Sequence, residues 1–159
     1  MTIPLFRVDE RLIHGQVVVG WGRRLQPRRV IVVHDTLAAA PAEQDLYRAG
    51  LPPGVEATFW TEREAVEGLA AVQAAPEPAF VLTEDLDTME RLVGAGVTIG
   101  EINVGGLHAG PGRRRILPYV CLDEDDLERV RALESAGVRV LAQDVPTAPP
   151  VRLVERACR

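Results

Sequence analysis

One imidazole, two arginines, two carboxylates and two glycines crowd into the stretch RVDERLIHGQVVVGW, Arg7 to Trp21. The chemistry open to such a set is nucleophilic: a neutral imidazole takes up an anionic group when donors stand ready for that group's oxygens. His14 is the candidate nucleophile. Arg7 and Arg11 offer forked donors to phosphate oxygens, and their positive charge favours the neutral ring. Asp9 or Glu10 can fix one ring N–H and leave the other nitrogen free to attack. Gly15 lets backbone approach closely. If a helix begins here, the amides of Gly15, Gln16 and Val17 point at an anion beside the ring. These are the parts a phosphohistidine requires. The plain alternative is a loop histidine that hydrogen-bonds a carboxylate.

Other chemistries fare worse. His34, Asp35 and His108 with His14 would make a metal-dependent hydrolase, but no H-x-H or H-x-x-x-H spacing supports a metal site,. Ser135 is the only serine and falls late in a helical pattern, which leaves serine nucleophiles aside. The segment GGLHAGPG, Gly105 to Gly112, reads as a second anion nest or as a flexible turn,. It is no Walker loop, because Pro111 and Gly112 stand where the lysine and hydroxyl residue belong,. The run Arg113 to Arg115 reads as a solvated face or as a docking patch for an acidic partner.

Composition narrows the partners. The chain has 159 residues, 47% of them hydrophobic and 26% charged, which fits a single globular domain over residues 1–159,. With 18 basic and 23 acidic side chains the net charge is -5, the wrong sign for nucleic acid,. Every basic side chain is arginine, so Schiff-base lysine chemistry is absent,. Cys121 and Cys158 stand apart from any C-x-x-C pair and point to a reducing compartment,. The opening MTIPLFRVDER is charged early and carries no signal-peptide pattern, and no apolar run has transmembrane length; a cytoplasmic protein is expected,.

The elements that must position these residues alternate along the chain. Strand patterns begin at Ile3 (IPLFRV), Arg29 (RVIVVH), Val55 (VEATFW), Ala79 (AFVLT), Ile99 (IGEINV) and Val138 (VRVLAQ),. RRILPYVCL, from Arg114, is expected as one further strand that Pro118 confines to an edge or a bulge,. Helix patterns follow the capping box Thr61–Glu64, the acidic turn at Asp123, and Leu86 to Val93. After His14, the face shared by Val17, Val18, Trp21 and Leu25 tips the segment to helix. Alternation of this kind means an α/β fold: a doubly wound, mostly parallel sheet of about six or seven strands with helices on both faces. Ligands then sit at the carboxyl ends of the strands, the edge that His14, His34 and His108 all follow.

RVDERLIHGQVVVGW resembles the active-site segment of the IIB subunits of the bacterial phosphoenolpyruvate-dependent sugar phosphotransferase system, mannose/fructose/sorbose family, whose usual form is close to RVDDRLIHGQV. RVIVVHD, EINVGGLHAGPGRRRI and VPTAPPVRLVE resemble later segments of the same family. The resemblance implies a doubly wound α/β phosphotransferase component that needs no cofactor. It implies that His14 accepts a phosphoryl group from a histidine of a IIA domain and passes it to a sugar held by membrane subunits IIC and IID. Arg7, Asp9, Arg11, Gly15 and Gln16 would surround the acceptor, with His34, Asp35 and His108 at the pocket edge. The subunit would sit at the inner face of the membrane through IIC and IID, and homo-oligomer formation stays open. Glu10 stands where the family often has Asp, and His34 where an acid or amide is common. The loop after Gly112 lacks the family's frequent lysines. A regulatory module of the same fold, sensing phosphorylation without passing it to sugar, is the second reading.

Overall fold

Strands form where β-branched and apolar residues run together. The computed structural model describes residues 3–157, so Cys158 lies outside the described residues. β1 (Leu5–Asp9), β2 (Arg29–Val33), β3 (Glu56–Trp60), β4 (Ala79–Thr83) and β5 (Glu101–Gly106) come first; β6 (Arg114–Leu117), β7 (Val120–Leu122), β8 (Arg139–Ala142) and β9 (Val151–Arg152) follow. All but β6 and β7 join one seven-stranded sheet in the order β3-β2-β4-β1-β5-β8-β9, parallel except for β9 at its edge. β1 and β4 are buried along their whole length. Both faces of the sheet are covered there, which is why these strands read as continuous apolar runs.

Two cores flank the sheet. On one face Val8, Ile31, Val81 and Val104 meet Leu69, Met89 and Val130. These come from α4 (Glu62–Ala74), α5 (Leu86–Gly94) and α6 (Glu124–Ser135). On the other face Leu5, Val30, Val32 and Leu82 meet Leu12, Val17, Trp21 and Leu37. Full burial of such a side chain is worth about 1.5–3 kcal/mol, so each core anchors the loops that leave it. The helix after His14 is a π-helical turn, Gln16–Trp21, that tightens into α1 (Gly22–Leu25) and stops at Gln26 in the left-handed region, φ 46°. The capping box at Thr61 forms as expected, and α6 has a second one between Asp123 and Asp126.

Three features depart from the sequence expectation. RRILPYVCL is an antiparallel hairpin, β6 with β7, in which Pro118 and Tyr119 make the turn. Pro118 therefore ends a strand rather than sitting within an edge one. α2 (Asp35–Ala38) and α3 (Pro41–Ala49) carry no sequence signal of a buried stripe, because α2 is one turn that buries only Leu37 and α3 buries none of its residues. Finally, Gly105 and Gly106 belong to β5 and are buried, so the glycine-rich segment begins as strand rather than as a flexible turn.

Candidate functional site

The chain leaves β1 at Asp9 and turns at once, with the Leu12 amide donating to the Asp9 carbonyl at 2.9 Å. Leu12 sits at φ 56°, a conformation that strains a residue with a Cβ,. Its side chain is 1% exposed in the core, and that anchor holds the strained turn in place,. The turn brings His14 back over Asp9. His14 Nε2 lies 2.9 Å from Asp9 Oδ2, and the Gln16 amide donates to His14 Nδ1 at 3.3 Å. A carboxylate only accepts and an amide N–H only donates, so the ring is the neutral tautomer with its proton on Nε2.

Asp9 is the hub. Its Oδ1 accepts from the Arg11 amide at 3.0 Å and from Arg11 Nε at 3.2 Å, and its Oδ2 accepts from Arg7 Nη2 at 3.3 Å. Burial alone would raise its pKa; hydrogen bonds from His14 and Arg11 more than reverse this and hold it at about 2,. Arg11 also donates through Nη2 to Gln16 Oε1 at 2.9 Å. Its side chain is 39% exposed, and its Nη1 remains turned to no acceptor among the described residues.

Arg7 holds a different place from the one its spacing implies. Its side chain is fully buried, beneath Asp9 rather than beside the imidazole. It donates to Asn103 Oδ1, to the Gln143 carbonyl at 2.8 Å and to the Asp144 carbonyl at 2.9 Å, and it stacks over Trp21. Burial pulls its pKa down, but arginine stays charged, so Asp9 keeps a permanent cation underneath,. Forked donation from Arg7 to an anion at His14 is therefore ruled out by its enclosure. The register explains how the guanidinium fits. β1 and β5 pair as Val8↔Val104 and then Asp9↔Gly106, leaving Gly105 as an extra residue. A Cβ on Gly105 would lie 1.7 Å from Arg7 Nη2. The bulge and the glycine together make room for the arginine.

The remaining sequence candidates divide. Gly15 and Gln16 stand beside the imidazole as expected, though the Gln16 amide is already taken by Nδ1. His34 follows β2, which β4 separates from β1. It caps α2 by accepting from the Leu37 amide at 3.1 Å, and Nε2 pairs with Glu84 at 2.9 Å. Asp35 accepts from the Glu62 amide at the start of α4. His108 follows β5 and pairs with Glu10. Each histidine thus has its own carboxylate, and among the described residues no group of three ligand types could hold a metal ion. The metal-site grouping of three histidines with Asp35 does not assemble. Of the two readings of GGLHAGPG, nest or turn, the structure shows a turn whose His108 amide donates to Glu10 and whose Arg113 amide donates to the Gly110 carbonyl. Sequence reading missed Asn103, whose only signal was an amide inside a buried strand. Gln143 and Asp144 act through their carbonyls, which no side-chain pattern reveals.

Comparison with known proteins agrees with this geometry. The family model "PTS system sorbose subfamily IIB component" matches residues 3–156. The N-acetylgalactosamine-specific phosphotransferase enzyme IIB component 2 of Escherichia coli K12 is 35% identical over 152 residues, covering 96% of each chain. The mannose-specific EIIAB component of the same strain is 33% identical over 155 residues, 98% of this chain but 48% of that protein, so this chain spans about half its length. The solved IIBSor domain of the Klebsiella pneumoniae sorbose permease superposes with a TM-score of 0.91 at 30% identity, covering 99% of this chain and 97% of that one.

Proposed function

This chain belongs to the sorbose-subfamily IIB components of the sugar phosphotransferase system, and from that premise we propose that His14 is its phosphoryl acceptor, through Nδ1. One observation carries the assignment. Asp9 occupies Nε2, so the lone pair of the ring is on Nδ1, the nitrogen that faces the amide of Gln16. Nδ1 attacks the phosphorus of a phosphohistidine on a IIA donor; the P–N bond of the donor breaks and its imidazole leaves. The phosphoimidazole on His14 is more cationic than the free ring, and the Asp9 carboxylate stabilises it through the Nε2 proton. Once Nδ1 carries phosphorus, the Gln16 amide loses that acceptor and, with Arg11 Nη1, donates to phosphoryl oxygens,. In the second transfer a sugar hydroxyl attacks the phosphorus, the P–Nδ1 bond breaks, and the hydroxyl proton is released. Little else is needed, because phosphoryl transfer rests mainly on alignment and charge stabilisation.

The donor is a IIA domain and the acceptor sugar is held by IIC and IID, which bring this subunit to the cytoplasmic face of the membrane. The mannose-specific relative carries IIA and IIB in one name, and in this chain no described helix is long and apolar enough to cross a membrane. Phosphorylation by a IIA donor, followed by nitrogen-15 and phosphorus-31 NMR, tests the assignment. Coupling of phosphorus to Nδ1 is expected; coupling to Nε2 overturns the tautomer argument.

A further inference from the structure

Beyond Leu107, which is buried in the core, the segment after β5 has no apolar anchor of its own. Residues 108 to 112, HAGPG, are all exposed, and Gly112 sits at φ +74°. A chain of this composition loses much conformational freedom on ordering, and something must hold it. The structure names one holder. Glu10 Oε2 accepts from the His108 amide at 3.1 Å and lies 2.8 Å from His108 Nδ1. Glu10 Oε1 takes Arg113, whose Nη1 also donates to the His108 carbonyl at 2.9 Å. One carboxylate therefore clasps both ends of the loop.

That carboxylate lies between Asp9 and Arg11 in the chain, and its amide is tied to the Gly106 carbonyl at 2.9 Å. Gly106 itself packs against the acceptor assembly: a Cβ there would stand 3.0 Å from Asp9 Oδ1 and 3.2 Å from Arg11 Nη2. The loop thus leaves the sheet beside the groups that hold His14.

We infer that Glu10 is a positioning residue for phosphoryl transfer: through His108 and Arg113 it fixes the loop 107–113 as a wall of the approach to His14. The inference rests on His14 being the acceptor. It places the effect of Glu10 on productive docking, since its carboxylate touches neither His14 nor Asp9 and is taken up by Arg113 and His108. Glu10→Ala should raise the KM for a phosphorylated IIA donor about tenfold, with the loss falling on KM rather than kcat. Amide hydrogen exchange across residues 107–113 should accelerate by at least about tenfold, with β1 and β5 unchanged.

Arg113→Ala opens the same clasp from the far side without altering the acceptor loop, which guards against a folding defect in the first variant. The double variant should be no worse than the worse single one. Additive losses in the double variant, an unchanged KM in a variant with a fast-exchanging loop, or unchanged exchange in both variants overturns the inference. A loss confined to kcat also overturns it, because Glu10 would then act on chemistry. If the unaltered chain transfers phosphoryl and only these expectations fail, the acceptor assignment stands. If it takes no phosphoryl from the donor, both fall together.

Discussion

At the scale of single residues, only His14 among the three histidines pairs with a fully buried carboxylate, Asp9, which two arginines also hold. His34 Nδ1 receives the Leu37 amide as a helix cap, and His108 is held by Glu10. His14→Gln should abolish uptake of acid-labile phosphate from a phosphorylated IIA donor, while His34→Gln and His108→Gln still take up close to one group per chain. Label on an imidazole of the His14 variant would remove the assignment. Asp9 sets the tautomer, so Asp9→Asn, whose amide can donate to Nε2, should move the ring proton to Nδ1 and slow transfer by about 10²-fold or more. Asp9 also links stability to pH. Its pKa falls from 3.8 to about 2 on folding, so the folded chain binds that proton less readily than the unfolded one. The stability it contributes is therefore complete above pH ~4 and is lost as pH falls through about 2, roughly 2 kcal/mol in all. Denaturant midpoints for the parent and Asp9→Asn, compared between about pH 5 and pH 2, should show that the parent falls more steeply. Parallel curves would mean that the carboxylate is not held down by its partners. His14 and Asp9 were legible together because both lie within one short motif, although the sequence offered Glu10 equally as the partner of the ring. It misplaced Arg7, since nothing local says that its side chain turns under β1 instead of out toward His14.

At the scale of elements, the bulge in β5 decides whether the acceptor has a foundation. Gly105→Ala would drive a methyl group into the Arg7 guanidinium, where a Cβ would lie 1.7 Å from Nη2. Arg7 cannot step aside, because Asn103 and two carbonyls hold it and Trp21 covers it. Overpacking a buried charge network should cost at least about 3 kcal/mol, and thermal unfolding should show a large drop in Tm or no cooperative transition. A Tm within a few degrees of the parent would mean that the bulge relaxes freely. Long apolar runs made the strands legible, and capping residues made α4 and α6 legible. α2 and α3 were not: α2 is a single turn with one buried residue, Leu37, and α3 buries none, so neither prints a periodic stripe,. The hairpin was read as one strand for a related reason: Leu117 and Val120 are both buried, and only the proline between them marks the reversal.

At the scale of the whole molecule, charge is arranged against the overall sign. The chain carries -5 in total, yet Arg11 beside His14 and, on β6, Arg114 and Arg115 are exposed cations. The sequence offered Arg113 to Arg115 as one run, and folding splits it. Arg113 is held by Glu10 and Asp126, whereas Arg114 and Arg115 are exposed and meet no carboxylate among the described residues. No spacing rule could separate them, because the split depends on Glu10, which lies in a distant loop. Unpaired cations on a docking face add little to stability, but they steer an acidic partner through the long-range field. The on-rate for a phosphorylated IIA donor should therefore fall as salt shortens the screening length to about 8 Å and below. Arg114→Ala with Arg115→Ala should lower the low-salt on-rate about three- to tenfold and flatten its salt dependence, leaving Tm nearly unchanged. Arg113→Ala should instead disturb the loop and keep most of the salt slope. Stopped-flow association at several ionic strengths separates the two cases. A double variant with the parent's slope would make Arg114 and Arg115 an ordinary solvated face, and the steering charge would then have to lie in Arg11 alone.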